Sequence, residues 1–171
     1  ELGWLAAPAL ATIKAFGSVL GTDKRMFKSR SGETVRLVDL VDEAIERATA
    51  SVREKNPDLP EDEQIDIGRI VGTGALKYAD LSTDRIKDYV FDWDRMLSFE
   101  GNTAPYLQYA HARIKSILRR AGQRATTHGS SATLAPQERD LILQLLQFDS
   151  AVHDTLEKYS PHRLATYLFE L

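Results

Sequence analysis

Hydrophobic positions recur at helical spacing through much of the chain. Within residues 38–55 and 61–79, apolar side chains return every three or four positions, which is the repeat of an amphipathic helix. The first helix is predicted to end at Asn56, because Pro57 disfavours helical geometry in the residue before it. The acidic residues 61–63 suit the positively polarised N-terminus of the second helix. The pattern therefore predicts two consecutive amphipathic helices.

Three glycines interrupt the second predicted helix, at Gly68, Gly72 and Gly74. A glycine inside a helix lowers its intrinsic stability by about 1 kcal/mol relative to alanine. We therefore expect these positions either to permit close packing against a neighbouring element or to kink the helix.

The second half of the chain is predicted to be an all-helical bundle. Thr103 is a favourable N-cap for a helix that continues to about Arg120 and stops at Gly122. Residues 122–133 are rich in Gly, Ser and Thr and indicate an exposed linker. Pro136 then suits the first turn of a helix, whose apolar stripe is carried by Leu141, Leu145, Phe148 and Val152. The last helix is predicted to begin at Ser160-Pro161.

Extended structure is predicted only in short pieces. Residues 12–20 and 33–36 read as two strands, joined by a long, mobile, basic loop at 21–32. A brief strand is predicted at 89–91 and a helical turn at 93–99. The predicted fold class is therefore mostly α with a small β element.

Composition narrows the possible functions. Apolar residues make up 43% of the chain and charged residues 27%, which is typical of a folded globular protein. A net charge of −3 argues against a generally basic nucleic-acid-binding protein but leaves room for local basic patches. The absence of cysteine rules out disulfides and thiolate metal sites and suits a reducing cytosol. No apolar run approaches the roughly 20 residues that a membrane span needs.

The first candidate site is the basic loop, where four cationic side chains surround Ser29: Lys24, Arg25, Lys28 and Arg30. Closely spaced ammonium and guanidinium groups can bind polyphosphate through charge and hydrogen bonds. The alternative is a solvated hairpin tip without a ligand, and composition alone does not separate the two.

The second candidate site is the helix after Thr103. Tyr106, Tyr109, Arg113 and Arg120 share one face, and aromatic and guanidinium groups together suit stacking on RNA bases and contact with phosphate. The alternative is a tyrosine-lined edge of a protein core. His111 lies on a neighbouring apolar stripe with Leu107, Ile114 and Leu118, and is interpreted as a core histidine.

The remaining candidates are weaker. His128, His153 and His162 lack metal-ligand spacing, and the adjacent His153 and Asp154 are expected to point apart on a helix. Asp92 and Asp94 flank Trp93, and such a pair is more common at a helix N-terminus than in acid–base catalysis. We therefore predict no protein-bound metal and no catalytic carboxylate pair.

Longer strings are more specific than any of these motifs. The segments that carry a resemblance are AFGSVLG at 15–21, FKSRSGETV at 27–35, GALKYADLS at 74–82, FDWD at 91–94, FEGNTAPYLQYAHAR at 99–113 and PHRL at 161–164. In sequence, order and spacing they closely resemble arginyl-tRNA synthetases, over nearly the whole chain. The resemblance implies the end of a class I Rossmann catalytic domain at 1–97, followed by part of a helical-bundle anticodon-binding domain at 98–171.

The resemblance also implies roles for the basic loop. The family's KMSKS loop stabilises the pyrophosphate leaving group of ATP, with Mg²⁺, as the aminoacyl-adenylate forms. Here residues 26–30 correspond to that loop, although no lysine stands at the position of the second motif lysine. Lys28 and Arg30 are the expected catalytic cations, within an ATP-binding group of Phe27, Lys28, Ser29 and Arg30.

For the helical half, the resemblance implies binding of tRNA(Arg). The residues expected to shape that surface are Gly101, Asn102, Thr103, Tyr106, Tyr109 and Arg113, while Gln108 is expected to make a structural contact. The complete enzyme is expected to be cytoplasmic and monomeric, and to join arginine to tRNA with ATP.

Both ends of the sequence suggest a fragment, and a sheet edge exposed by the missing half is expected to favour its self-association. The chain starts at Glu1, stops at Leu171 within an apolar-periodic segment, and contains no His-x-Gly-His sequence of the kind the family uses in its active site. It is therefore expected not to form arginyl-adenylate alone. The alternatives are a stand-alone tRNA-binding paralogue without catalysis and a helical module that binds another protein.

Overall fold

The computed structural model describes residues 11–26, 36–122 and 134–171. The elements of these residues, in chain order, are β1 Val19–Leu20, α1 Leu37–Lys55, α2 Glu61–Ser82, β2 Tyr89–Val90, α3 Trp93–Met96, α4 Ala104–Ala121, α5 Pro136–Leu145, α6 Phe148–Lys158 and α7 His162–Glu170. The prediction of a mostly helical fold with a small β element is confirmed. No helix among the described residues is long and apolar enough to cross a membrane.

Helices α1 and α2 form a hairpin around the Asn56–Pro60 turn, and the glycines of α2 explain how close they come. A Cβ atom built on Gly72 would lie 2.5 Å from the carbonyl oxygen of Ala44, and one on Gly68 would collide with the Thr49 side chain. Helix α2 is continuous from Glu61 to Ser82, and these glycines serve close packing.

A small core joins this hairpin to the β element. Ala75 of α2 is buried with Phe91 and Met96, and Phe91 meets Trp93 edge-on with ring centroids 4.8 Å apart. The Asp92 carboxylate accepts a hydrogen bond from the backbone N–H of Arg95 at 3.2 Å and so caps α3. The capping interpretation of Asp92 is therefore confirmed.

The first predicted strand is much shorter than expected. Strands β1 and β2 pair in parallel, with Val19 opposite Tyr89 and Leu20 opposite Val90. The chain just before Tyr89 turns, through a hydrogen bond from Lys87 N–H to the Asp84 carbonyl. Among the described residues, 11–18 therefore have no neighbouring strand with which to continue the ladder, and the prediction of a strand over 12–20 was wrong. Most of the second predicted strand, 33–36, lies outside the described residues.

The helical half also departs from the prediction in one place. The stripe from Leu141 to Val152 was assigned to one helix, but α5 ends at Leu145 and α6 begins at Phe148. Beyond this break the Phe148 ring packs against Tyr167 of α7, with centroids 5.9 Å apart. A straight helix would continue along α5, so the break is what lets α6 pack against α7.

Arg85 ties the β element to the α6–α7 turn. Its Nε donates to the carbonyl of Tyr159 at 3.0 Å, and its Nη1 donates to the carbonyl of Ala15 at 2.6 Å. Tyr159 has a φ of +50°, which is uncommon for a residue with a side chain. The guanidinium fork thus holds together segments that lie 70 or more residues apart in sequence.

Candidate nucleic-acid interface

The basic loop lies largely outside the described residues. Phe27, Lys28, Ser29 and Arg30 are among the residues that the structure does not describe, so their predicted roles stay predictions. The beginning of the loop is described: Leu20 and Met26 form an isolated antiparallel bridge, and Lys24 adopts a φ of +58° in the turn between them. The chain therefore reverses direction at 21–26 before it reaches the motif.

The loop before α4 combines exposed and buried residues. Gly101 and Asn102 are exposed, and Gly101 has a φ of +78°, which glycine adopts without strain. Thr103 is buried: its Oγ1 donates to the Ser98 carbonyl at 2.7 Å and accepts from the Tyr106 N–H at 3.3 Å. Of the three residues of this loop that were assigned to tRNA, Thr103 therefore holds the loop in place, and Gly101 and Asn102 are the exposed ones.

Replacing Thr103 should reveal this structural role. Thr103→Ala removes the N-cap of α4 and leaves the Ser98 carbonyl without its partner, so we expect a loss of about 1–2 kcal/mol in the free energy of unfolding. Urea unfolding followed by circular dichroism measures it. Thr103→Ser retains the hydroxyl and is the matched control; equal losses for both variants would contradict the capping role.

Tyr109 and Arg113 form an exposed pair on α4. Arg113 Nη1 donates to the Tyr109 hydroxyl at 3.2 Å, and 51% of Tyr109 is exposed. The hydrogen bond orients the guanidinium beside the phenol ring, so that a planar aromatic face and a permanent cation lie together at the surface. That combination suits a nucleic-acid base and its phosphate.

Tyr106 does not belong to the same surface. Its ring packs edge-on against Phe169 of α7, with centroids 5.8 Å apart, and it is half-buried. The two tyrosines that helical spacing placed on one face therefore have different neighbours. Tyr106 contacts α7, whereas Tyr109 lines a groove formed by α1, α2 and α4. Helical spacing placed both tyrosines near each other but could not determine which neighbour each one meets.

The interpretation of His111 as a core histidine was wrong. His111 is exposed, and so are Ile114 at 56% and Leu118 at 60%, while Leu107 of the same stripe is half-buried. Among the described residues no element covers this face. Apolar spacing on a helix indicates a face that can be buried, but the residues packed against that face decide whether it is.

Gln108 makes the structural contact that was expected. Its Nε2 donates to the Ile70 carbonyl of α2 at 3.3 Å, and the same nitrogen would lie 2.6 Å from a Cβ built on Gly74. The small size of Gly74 therefore lets the Gln108 amide reach the α2 backbone and fix α4 against it.

An apolar groove of about 410 Å³ lies between α1, α2 and α4, with Tyr109 at its edge. Val52, Ile67, Phe99 and Pro105 are among the side chains that line it. The ammonium of Lys55 sits over the Phe99 ring, 4.1 Å from its centroid. Tyr109 therefore contacts the apolar surface of the groove and is also hydrogen-bonded to Arg113.

Tyr78 is a residue of this region that sequence reasoning missed. Its hydroxyl oxygen lies 2.5 Å from Oδ1 of Asn102 and 3.1 Å from the carbonyl oxygen of Ala165 in α7. Burial raises the pKa of the Tyr78 hydroxyl above its ordinary value. Neither helical spacing nor composition could have found it, because its partners lie 24 and 87 positions away.

One carboxylate–histidine group differs from expectation. His153, Asp154 and Glu157 of α6 bring one ligand atom each within 4.8 Å of one another, so the adjacent His153 and Asp154 do not point apart. Asp154 Oδ2, however, already lies 3.4 Å from Lys158 Nζ and 3.2 Å from Arg163 Nη1. Two cations compete there with any metal ion, and the ligand set carries no argument for a metal site.

Two protein-family models match successive parts of this chain. Residues 6–93 match the model of the tRNA synthetases class I (R) catalytic domain, and residues 107–171 match the DALR anticodon binding domain. The chain is 54% identical over 158 residues to an arginine–tRNA ligase of Proteus mirabilis, covering 91% of this chain and 27% of that protein. It is 52% identical over 169 residues to one of Frankia casuarinae, covering 99% of this chain and 29% of that protein.

Solved structures agree with these sequence matches. The fold superposes on the Thermus thermophilus arginyl-tRNA synthetase with a TM-score of 0.79 and 43% identity, over 92% of this chain and 25% of that one. It superposes on the Plasmodium falciparum arginyl-tRNA synthetase with a TM-score of 0.71 and 29% identity, over 91% of this chain and 26% of that one. The chain therefore spans little more than a quarter of its relatives' length and belongs to the class I arginyl-tRNA synthetase family.

Proposed function

We propose that this chain is part of an arginine–tRNA ligase, which activates arginine with ATP and Mg²⁺ and transfers it to tRNA(Arg). One observation carries the proposal: a class I (R) catalytic match and an anticodon-binding match follow each other on one chain, at 6–93 and 107–171. An exposed Gly101–Asn102 loop and the Tyr109–Arg113 pair lie on either side of the start of the second match. In this proposal, these residues face the tRNA.

The proposal divides the chain at 97/98 into a catalytic part and an anticodon-binding part. Lys28 and Arg30 then act on the phosphates of ATP, within the 27–30 group, and the helical part recognises tRNA in the cytoplasm. Mg²⁺ enters with ATP as part of the substrate. The complete ligase, meaning a protein of the relatives' length that contains this chain, is proposed to act as a monomer.

The direct test is charging of tRNA(Arg) by the complete ligase with labelled arginine and ATP. We expect arginylation that depends on all three substrates, and no arginine-dependent ATP–pyrophosphate exchange by the 171-residue chain alone, because it lacks a His-x-Gly-His sequence. Binding of tRNA by the complete protein without any charging would favour the paralogue, and the absence of both would favour the protein-binding module.

Arg113 offers a test of the interface itself. Arg113→Ala in the complete ligase removes a cation and the partner of the Tyr109 hydroxyl, so we expect tRNA(Arg) to bind about 5- to 20-fold more weakly. Fluorescence anisotropy at several salt concentrations measures the affinity, and the slope of log Kd against log salt should fall in magnitude if a phosphate contact is lost.

Arg69→Ala is the matched control for Arg113, because it removes an exposed arginine from α2, where it makes only a long ion pair with Asp66 at 3.9 Å. The control should retain wild-type affinity. Equal weakening by both variants would indicate a general effect of charge and would remove Arg113 from the interface.

A further inference from the structure

We propose that Tyr78 is a positioning residue for tRNA recognition: its hydroxyl joins α2, the Gly101–Asn102 loop and α7, and so presets the surface that meets the tRNA. The inference deepens the proposed function and rests on it. Tyr78 lies in the region matched by the catalytic domain, Ala165 lies in the region matched by the anticodon-binding domain, and Asn102 lies between the two matches.

The geometry makes Tyr78 the meeting point of three segments. Its hydroxyl donates to Asn102 Oδ1, 2.5 Å away, and the Ala165 carbonyl oxygen lies 3.1 Å away as a second, longer acceptor for the same proton. Ala165 is only 5% exposed, so α7 is seated firmly at this point, whereas Asn102 is exposed. An exposed amide held by a half-buried phenol has its side-chain rotamer fixed before any ligand arrives.

The backbone of the loop is closed by a hydrogen bond from the Thr103 N–H to the Gly101 carbonyl at 3.0 Å, and Gly101 has a φ of +78°. The Asn102 side chain is held separately, by the hydroxyl of Tyr78. Thr103 secures the other end of the loop through Ser98 and the start of α4. Tyr78 is therefore the side chain that fixes the middle of the loop, and prior fixing reduces the entropy lost when a partner binds.

The same contact links the loop to the helix that carries Phe169. Since Tyr106 packs on Phe169, the position of α7 also affects the position of the first turn of α4. The Tyr78 hydroxyl oxygen thus lies where α7 and the loop approach each other, and its single proton is shared between the Asn102 and Ala165 oxygens. Tyr78 itself is half-buried and is not placed to contact RNA, so its effect must pass through its neighbours.

The test is Tyr78→Phe in the complete ligase, which removes one oxygen and keeps the ring. We expect the KM for tRNA(Arg) to rise about 5- to 10-fold, with the KM for ATP and the KM for arginine unchanged, because one hydrogen-bonded link to a recognition group is lost. Tyr89→Phe is the matched control: Tyr89 is also half-buried and lines, together with Tyr78 and Asn102, a small pocket of about 60 Å³. Its hydroxyl contacts neither Asn102 nor α7 among the described residues.

A double-mutant cycle with Asn102→Ala separates positioning from general structural support. If Tyr78 acts through Asn102, Tyr78→Phe should change the KM for tRNA by less than about 2-fold in the Asn102→Ala background. A full, additive 5- to 10-fold change in that background would overturn the inference, as would a normal KM for tRNA in Tyr78→Phe, or a parallel rise in the KM for ATP. If the wild-type ligase charges no tRNA(Arg), the proposed function itself fails, which is a different result from any of these.

Discussion

Lys28→Ala in the complete ligase is expected to reduce arginine-dependent ATP–pyrophosphate exchange about 100-fold or more at saturating substrates, while tRNA affinity changes little. The reason is electrostatic: negative charge develops on the pyrophosphate leaving group, and a cation preset beside it stabilises the transition state more than the ground state. Removing one such donor typically costs a factor of about 100 to 1,000 in rate. The rate of ATP–pyrophosphate exchange is measured with tRNA(Arg) present, and the affinity for tRNA(Arg) is measured in a separate binding assay.

Lys24→Ala is the matched control, because it removes the same charge from the beginning of the same loop, where Lys24 occupies the turn between Leu20 and Met26. We expect a change of less than about 5-fold in exchange for this variant, on the scale of screened surface charges. Equal losses for Lys24→Ala and Lys28→Ala would mean that the loop binds phosphate only through its overall charge. Equal loss of exchange and of tRNA binding in Lys28→Ala would mean that the fold is damaged.

Gly72→Ala is expected to lower the stability of the 171-residue chain by about 2–3 kcal/mol, which corresponds to a fall of about 4–12 °C in Tm. The added methyl group would lie 2.5 Å from the Ala44 carbonyl oxygen and 2.8 Å from the Ile45 nitrogen, which are backbone atoms of α1 that cannot turn away. Helices α1 and α2 would have to separate along their buried contact, and this cost exceeds the roughly 1 kcal/mol that alanine gains in helix propensity. Thermal unfolding followed by circular dichroism measures the change.

Gly74→Ala is the control in the same helix. Its methyl group would meet the Nε2 of Gln108, the mobile end of a side chain, at 2.6 Å. The amide can move aside at the cost of its hydrogen bond to Ile70, and the gain in helix propensity offsets that cost, so we expect a change within about 1 kcal/mol. A stable Gly72→Ala variant would mean that α1 and α2 pack less closely than the distances indicate.

The sequence by itself predicted most of the helices, several of their ends and the family. Local rules were enough where the signal is local: Pro57 ends α1, Thr103 caps α4 and Gly122 ends it, with a φ of +66°. The resemblance of the chain to arginyl-tRNA synthetases was confirmed by the family matches and by the arginine–tRNA ligases that it resembles. Such features depend on a few neighbouring residues and can therefore be predicted without knowledge of the fold.

Only the tertiary structure decided which faces are buried and which distant residues meet. Spacing on α4 placed Tyr106 and Tyr109 on one face. In the structure, however, Tyr106 packs against Phe169 of α7, and Tyr109 accepts a hydrogen bond from Arg113. Spacing also placed His111 in a core, although the described residues leave it exposed. Tyr78 showed no sequence signal, because a hydrogen bond across 24 or 87 positions depends on how α2, the loop and α7 pack together.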